Sequence, residues 1–186
     1  MPSGPGGSFA RVPGLFVTFE GIDRSGKTTQ AKLLCDALGA AAVAVREPGG
    51  TEVGERVRDL LKDPGVEIGA EAEALLFAAA RAELVARVIE PALAEGRVVV
   101  SDRFLDSSLA YQGEARGLGL EQVAHANDLA TGGLAPDLTL LLALDAGAAA
   151  ARAGEADRFE DEGLGLQESV AAAYERMAAA EPGRWK

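Results

Sequence analysis

Four apolar runs, "LFVTFE" (15–20), "AAVAVRE" (41–47), "RVVVSD" (97–102) and "LTLLLALD" (138–145), punctuate the chain, with helical stretches between them. Each run is nearly continuous rather than alternating. That is how a strand reads when both of its faces are covered, as in a parallel sheet. Helices are expected over 27–38, 51–62 and 70–94, twice within 106–132, and over 164–180. Alternating strands and helices imply an α/β fold: a doubly wound parallel β-sheet flanked by helices on both faces, with right-handed crossovers. The 186 residues, 48% of them hydrophobic, suit a single domain whose core is mostly Ala, Val and Leu. In such a sheet ligands sit beyond the carboxyl ends of the strands. Every run here ends in polar or reactive residues: Gly21 onward, Arg46-Glu47, Asp102-Arg103 and Asp145.

Composition narrows the partners. A net charge of −11 argues against binding nucleic acid through its phosphates and against anionic membranes. No run of about 18 apolar residues is present to span a bilayer. Cys35 is the only cysteine, so no intrachain disulfide forms and a reducing cytoplasm is the expected compartment. Of the 18 basic residues, 14 are Arg, the side chain suited to forked contact with phosphate. Residues 1–13, rich in Gly, Pro and Ser, read as a flexible leader or appended remnant, leaving 14–186 as the folded domain.

The stretch "GIDRSGKT", Gly21–Thr28, fits G-x-x-x-x-G-K-[ST] between an expected strand and an expected helix. Gly21 and Gly26 permit backbone angles that wrap amides around an anion, and Ile22, Asp23, Arg24 and Ser25 complete the wrap. The helix start, through Thr29, adds unpaired N–H groups and the positive end of its dipole. Lys27 reaches the β- and γ-phosphates, and the Thr28 hydroxyl can ligand Mg²⁺. The loop is a P-loop and binds a nucleotide. No N-K-x-D follows a later strand, so guanine is not the base it serves.

Further motifs define what sits beside that nucleotide: "REPGGT" (46–51), "LLFAAARAEL" (75–84), "SDRFLDSSLAYQG" (101–113) and "DRFEDE" (157–162). Together with "FEGIDRSGKTTQ" (19–30), their order and wording resemble the bacterial thymidylate kinases, P-loop nucleoside monophosphate kinases, over about residues 14–185. The resemblance implies transfer of the γ-phosphoryl of ATP to dTMP, with Mg²⁺, in a homodimer. It implies that Phe77 stacks on thymine and that Arg81, one helical turn on, bonds a thymine carbonyl; spacing i, i+4 puts both on one face. Ser107, Ser108 and Gln112 would line the base pocket, and Tyr111 would pack under the deoxyribose. Arg58 and Arg103 would grip the acceptor phosphate. Asp102 would orient Arg103 near the Mg²⁺ shell, and Asp23 would lie near the acceptor sugar and phosphate.

Catalysis between two polyanions needs positive charge rather than a base, because the attacking phosphate oxygen is already ionised. Arg24 resembles the catalytic arginine that some family members carry in the phosphate loop. Arg158, in a lid around 146–163, and Arg152 before it are the other candidates. Against the family pattern, the lid is short, Ala80 stands where an acid often helps orient Arg81, and "GRWK" precedes a strand and helix that usually follow. The expectation is an exposed sheet edge and a chain incomplete in lid and tail. Two other readings of the residues stay open: another nucleoside monophosphate kinase, and a non-catalytic ATP-binding regulatory module.

Overall fold

A computed structural model describes residues 14–152 and 163–186. Four parallel strands, β1 (Leu15–Glu20), β2 (Ala42–Arg46), β3 (Val98–Asp102) and β4 (Leu138–Leu141), form one sheet in the order β2-β3-β1-β4. Around it lie α1 (Lys27–Leu38), α2 (Glu52–Lys62), α3 (Ala70–Leu84), α4 (Glu90–Ala94), α5 (Leu105–Ser108), α6 (Leu120–Thr131), α7 (Ala146–Ala150) and α8 (Leu164–Ala180).

Strand alternation decides which helix covers which face. Val17, Phe19 and Val100 pack with Ala31 and Leu34 of α1. Phe16 and Val99 turn the other way, onto Leu84, Val85 and Ile89. A third apolar cluster joins Ile22 and Tyr111 to Val170, Ala173 and Tyr174 of α8, and to Trp185. The doubly wound sheet is therefore as expected, with two differences in detail. The long helix over 70–94 is interrupted by a π-helical stretch, Val85–Ile89, and a second, Leu109–Ala115, continues α5. The fourth strand stops at Leu141, because the chain beyond it turns toward α7.

The expected exposed edge is partly covered. Residues 184–186 run parallel to β4: Thr139 N–H donates to Arg184 O (2.9 Å), Lys186 N–H to Thr139 O (2.9 Å) and Leu141 N–H to Lys186 O (2.8 Å). Arg184 anchors them through the fully buried Asp106, at 2.6 and 3.0 Å.

β1 is central, flanked by β3 on one side and β4 on the other. The chain leaves β1 toward β2 and leaves β3 toward β4, so connections diverge between β1 and β3. A crevice opens at such a point. It is edged by the loop after β1 and by Asp102-Arg103 at the end of β3.

Candidate active site

The loop 21–28 makes its turn with backbone that most residues avoid. Gly21 has φ +143°, and a Cβ there would lie 2.7 Å from Leu142 O. Gly26 (φ +101°) caps the start of α1, and Arg24, though not glycine, sits at φ +60°. The Ile22 side chain belongs to the core, so only its backbone serves the loop. Lys27 is buried and folds back, its Nζ donating to Ile22 O (2.6 Å) and Ser25 Oγ (3.4 Å). Burial, reinforced by Arg103, brings its ammonium down to about 7. Thr28 and Thr29 are exposed at the first turn of α1.

Across the crevice, Thr28 Oγ1 donates to Asp102 Oδ2 at 2.5 Å. A hydroxyl and a carboxylate, both hard oxygen donors, are the ligand types Mg²⁺ takes when phosphates and water complete its octahedron. No cluster of three acidic, His or Cys ligands occurs among the described residues. These two oxygens therefore fit a metal shared with phosphates and not one caged by protein alone.

Arg103 is held by a different acid from the one expected. Its NH2 pairs with Asp23 Oδ1 (2.5 Å), while Asp102 is turned to Thr28. Arg103 also donates to Gly21 O and Ser107 Oγ (3.1 Å each) and to the Tyr174 and Tyr111 hydroxyls (3.3 Å each). Its own backbone is left-handed, φ +72°. Asp23 takes further bonds from Tyr111 OH (3.1 Å) and Gln167 Nε2 (2.8 Å). Burial pushes the Asp23 carboxyl up, but Arg103, Lys27 and those bonds outweigh it and hold it below its ordinary value.

Beneath Arg103 lies Glu20, the last residue of β1 and fully buried. Its Oε1 accepts from Phe104 N–H (2.8 Å), and its Oε2 from Ser107 Oγ (2.6 Å) and Tyr174 OH (2.8 Å). Burial, then repulsion from Asp106, pushes the Glu20 carboxyl up to about 7.

The pocket wall is built on α3. Arg81, 1% exposed, forks onto Glu47 with Nε and NH2 (2.9 and 2.6 Å), and also donates to Asn127 Oδ1 (2.6 Å) and Ser108 Oγ (3.0 Å). Glu47 and Asn127 thus orient Arg81, while Ala80 is simply packed in the core. Burial pushes the Glu47 carboxyl up and Arg81 pulls it back, with the net shift upward. Phe77 is half-buried on the same helix. Gln112 is buried against Glu73 (2.8 Å). From α2, Arg58 NH1 donates to Pro48 O at 2.9 Å.

One cleft of about 370 Å³ gathers these groups: it is lined by Asp23, Arg24, Lys27 and Thr28 of the loop, by Phe77, Arg81, Ser108 and Gln112, and by Arg58, Asp102, Arg103, Ser107 and Tyr111. Arg152 reaches the loop as well. Arg24 NH1 donates to Arg152 O (3.1 Å) and Arg152 NH1 to Arg24 O (2.9 Å). Arg158 lies outside the described residues. Glu73, Asn127, Gln167 and Tyr174 carried no sequence signal. Glu20 had one, as the single charge in an otherwise uncharged strand, and Glu47 stood at a strand end.

The family model for thymidylate kinase matches residues 19–186. The thymidylate kinase of Desulforudis audaxviator is 52% identical over 181 residues, spanning 94% of this chain and 82% of that protein. That of Synechococcus sp. (strain JA-3-3Ab) is 51% identical over 173 residues, 91% of this chain and 84% of the relative. Among solved structures, thymidylate kinase from Ehrlichia chaffeensis superposes with a TM-score of 0.78 at 35% identity, covering 94% of this chain and 92% of that one.

Proposed function

The chain belongs to the thymidylate kinase family, and we propose that it transfers the γ-phosphoryl of ATP to dTMP, giving ADP and dTDP. The observation that carries the reading is the single cleft joining the phosphate loop to an arginine-lined acceptor side. Simple ATP binding has no use for that second half.

The loop amides and the α1 N-terminus receive the ATP phosphates. Lys27 leaves its parking place on Ile22 O, and the incoming phosphates restore the charge that burial makes costly. Thr28 and Asp102 would hold Mg²⁺, which supplies neutralising charge between the phosphates. Arg103 and Arg58 grip the acceptor phosphate. Asp23, by holding Arg103, keeps its fork in place before substrate arrives. Phe77, Arg81, Ser108 and Gln112 receive the base, and Tyr111 supports the sugar. Arg24 stabilises the transferring group, with Arg152 and Arg158 as further charges of the lid. No proton needs removing from the acceptor, and the one histidine, His125, lies on α6 away from the cleft. Catalysis is positioning and charge stabilisation.

A homodimer is part of the same reading. Val53 and Leu60 on α2, Leu75 on α3 and Leu120 and Leu129 on α6 are exposed, Leu129 at 88%, on helices that pack side by side. No described helix is long and apolar enough to cross a membrane.

The test is coupled ADP release with Mg²⁺-ATP and dTMP, dUMP, dCMP, dGMP or no acceptor, with Arg103→Ala in parallel. Release that depends on dTMP and is lost in the variant is expected. Release indifferent to every acceptor would overturn the kinase reading.

A further inference from the structure

Gln112 is 2% exposed, and its amide has one orientation open to it. Its Nε2 donates to Glu73 Oε1 at 2.8 Å. A carboxylate can only accept, so the face turned to Glu73 is the NH2 face. Glu73, 1% exposed, is itself fixed: Arg116 Nε and NH2 reach its two oxygens at 3.1 Å each. The Gln112 amide oxygen therefore points away from Glu73. Gln112 lines the cleft, no donor among the described residues is bonded to its Oε1, and that oxygen is not a sealed, unsatisfied atom. The cleft thus meets an acceptor at Gln112 and a pure donor at Arg81.

We propose that Glu73 is a specificity-determining positioning residue. By holding the Gln112 carbonyl toward the cleft, it makes the acceptor pocket select pyrimidines that carry a ring N–H. The inference rests on the cleft being the acceptor-nucleotide site. Thymine and uracil present an N3–H donor beside a C4 carbonyl, which complements Gln112 and Arg81. Cytosine presents the reverse, a bare N3 acceptor beside an amino donor. It would set lone pair against lone pair and N–H against N–H. Turning the Gln112 amide over would relieve the first clash. It would also put the amide oxygen against the buried Glu73 carboxylate, leaving two acceptors facing each other without water. Glu73 blocks the adjustment that cytosine needs. It is a repulsive element against the wrong base.

The test is Glu73→Gln, whose carboxamide can donate or accept and so lets Gln112 turn over. Steady-state kcat/KM is measured for dTMP, dUMP and dCMP on wild type and variant. The dTMP:dCMP ratio is expected to fall at least about tenfold, within the range one hydrogen-bonded group contributes. The dTMP:dUMP ratio should stay put, because both bases carry N3–H. A merely structural Glu73 would lower all three acceptors together and leave both ratios unmoved, which overturns the proposal. In a Gln112→Ala background, Glu73→Gln should no longer move the dTMP:dCMP ratio; if it still does, Glu73 does not act through Gln112. Should Glu73→Gln fold poorly by thermal unfolding, the paired variant Glu73→Met with Arg116→Met removes the carboxylate together with its cation, frees the Gln112 amide to turn over, and should lower the dTMP:dCMP ratio in the same direction. No shift there overturns the proposal. Wild-type ADP release that ignores every acceptor overturns the kinase reading, and this inference with it. Acceptor-dependent release with unmoved ratios overturns this inference alone.

Discussion

Removing Glu47 tests whether Arg81 is held by a buried ion pair whose loss the fold cannot absorb. The pair is sealed, with the two side chains 1% and 4% exposed. Arg81 makes six hydrogen bonds: three go to Glu47, and one each to Asn127, the Phe104 carbonyl and Ser108. Glu47→Ala deletes the first three and strands a cation among three neutral acceptors. Breaking a buried pair from one side costs about 3–5 kcal/mol. The surviving acceptors favour the lower end, about 3 kcal/mol. For a chain of this size each kcal/mol moves the midpoint by about 2–4 °C, so Tm should fall by about 6–12 °C. Differential scanning calorimetry measures it directly, and urea titration checks that the m-value is unchanged. The companion is the double variant Glu47→Leu with Arg81→Leu. Exchanging a buried pair for apolar side chains is often neutral or stabilising. The double variant should melt above Glu47→Ala while losing acceptor-dependent activity. A loss under about 1 kcal/mol for Glu47→Ala, or a double variant no more stable than the single, would refute the reasoning.

Other outcomes follow from the same geometry. Glu20 is an acid whose pKa rises on folding, from 4.5 to about 7. The folded state then keeps a proton the unfolded state releases, so this stability is complete below about pH 4.5 and is lost as pH rises through about 7. Wild-type Tm should decline from about pH 5 to about pH 8 more steeply than that of Glu20→Gln, and parallel curves would refute it. Arg103→Ala should lower kcat/KM for dTMP by about 10²-fold or more while leaving ATP binding measurable by calorimetry. Replacing Leu75 and Leu129 by Glu should shift a homodimer to monomer in sedimentation velocity, with the cleft still binding ATP.

The strands and the phosphate loop were legible because they are local. Continuous apolar runs read as covered strands, and a glycine turn before Lys27 reads as a phosphate cradle whatever surrounds it. That Phe77 and Tyr111 line the cleft was legible only through resemblance, since on their own they look like core residues. What stayed hidden is the support. Gln167 and Asp23 are 144 positions apart and Tyr174 and Glu20 are 154 apart, yet each pair is hydrogen-bonded. No spacing announces such contacts, and they exist only once α8 packs over the loop. The pairing of Asp102 with Arg103 failed for a related reason. Arg103 leaves the strand with a left-handed backbone, φ +72°, and faces Asp23 while Asp102 faces Thr28.

The left-handed backbone at Arg24 sets two selective pressures against each other. At φ +60° an arginine forgoes about 1 kcal/mol that a glycine would keep. Its guanidinium donates to the Arg152 carbonyl at 3.1 Å. A laboratory evolution that rewarded only heat resistance would drift toward glycine at this position and discard a side chain that lines the cleft. On the role proposed for Arg24 in the transfer, selection for turnover would hold the arginine against that drift. How a population divides at residue 24 would report which of the two it had been bred for.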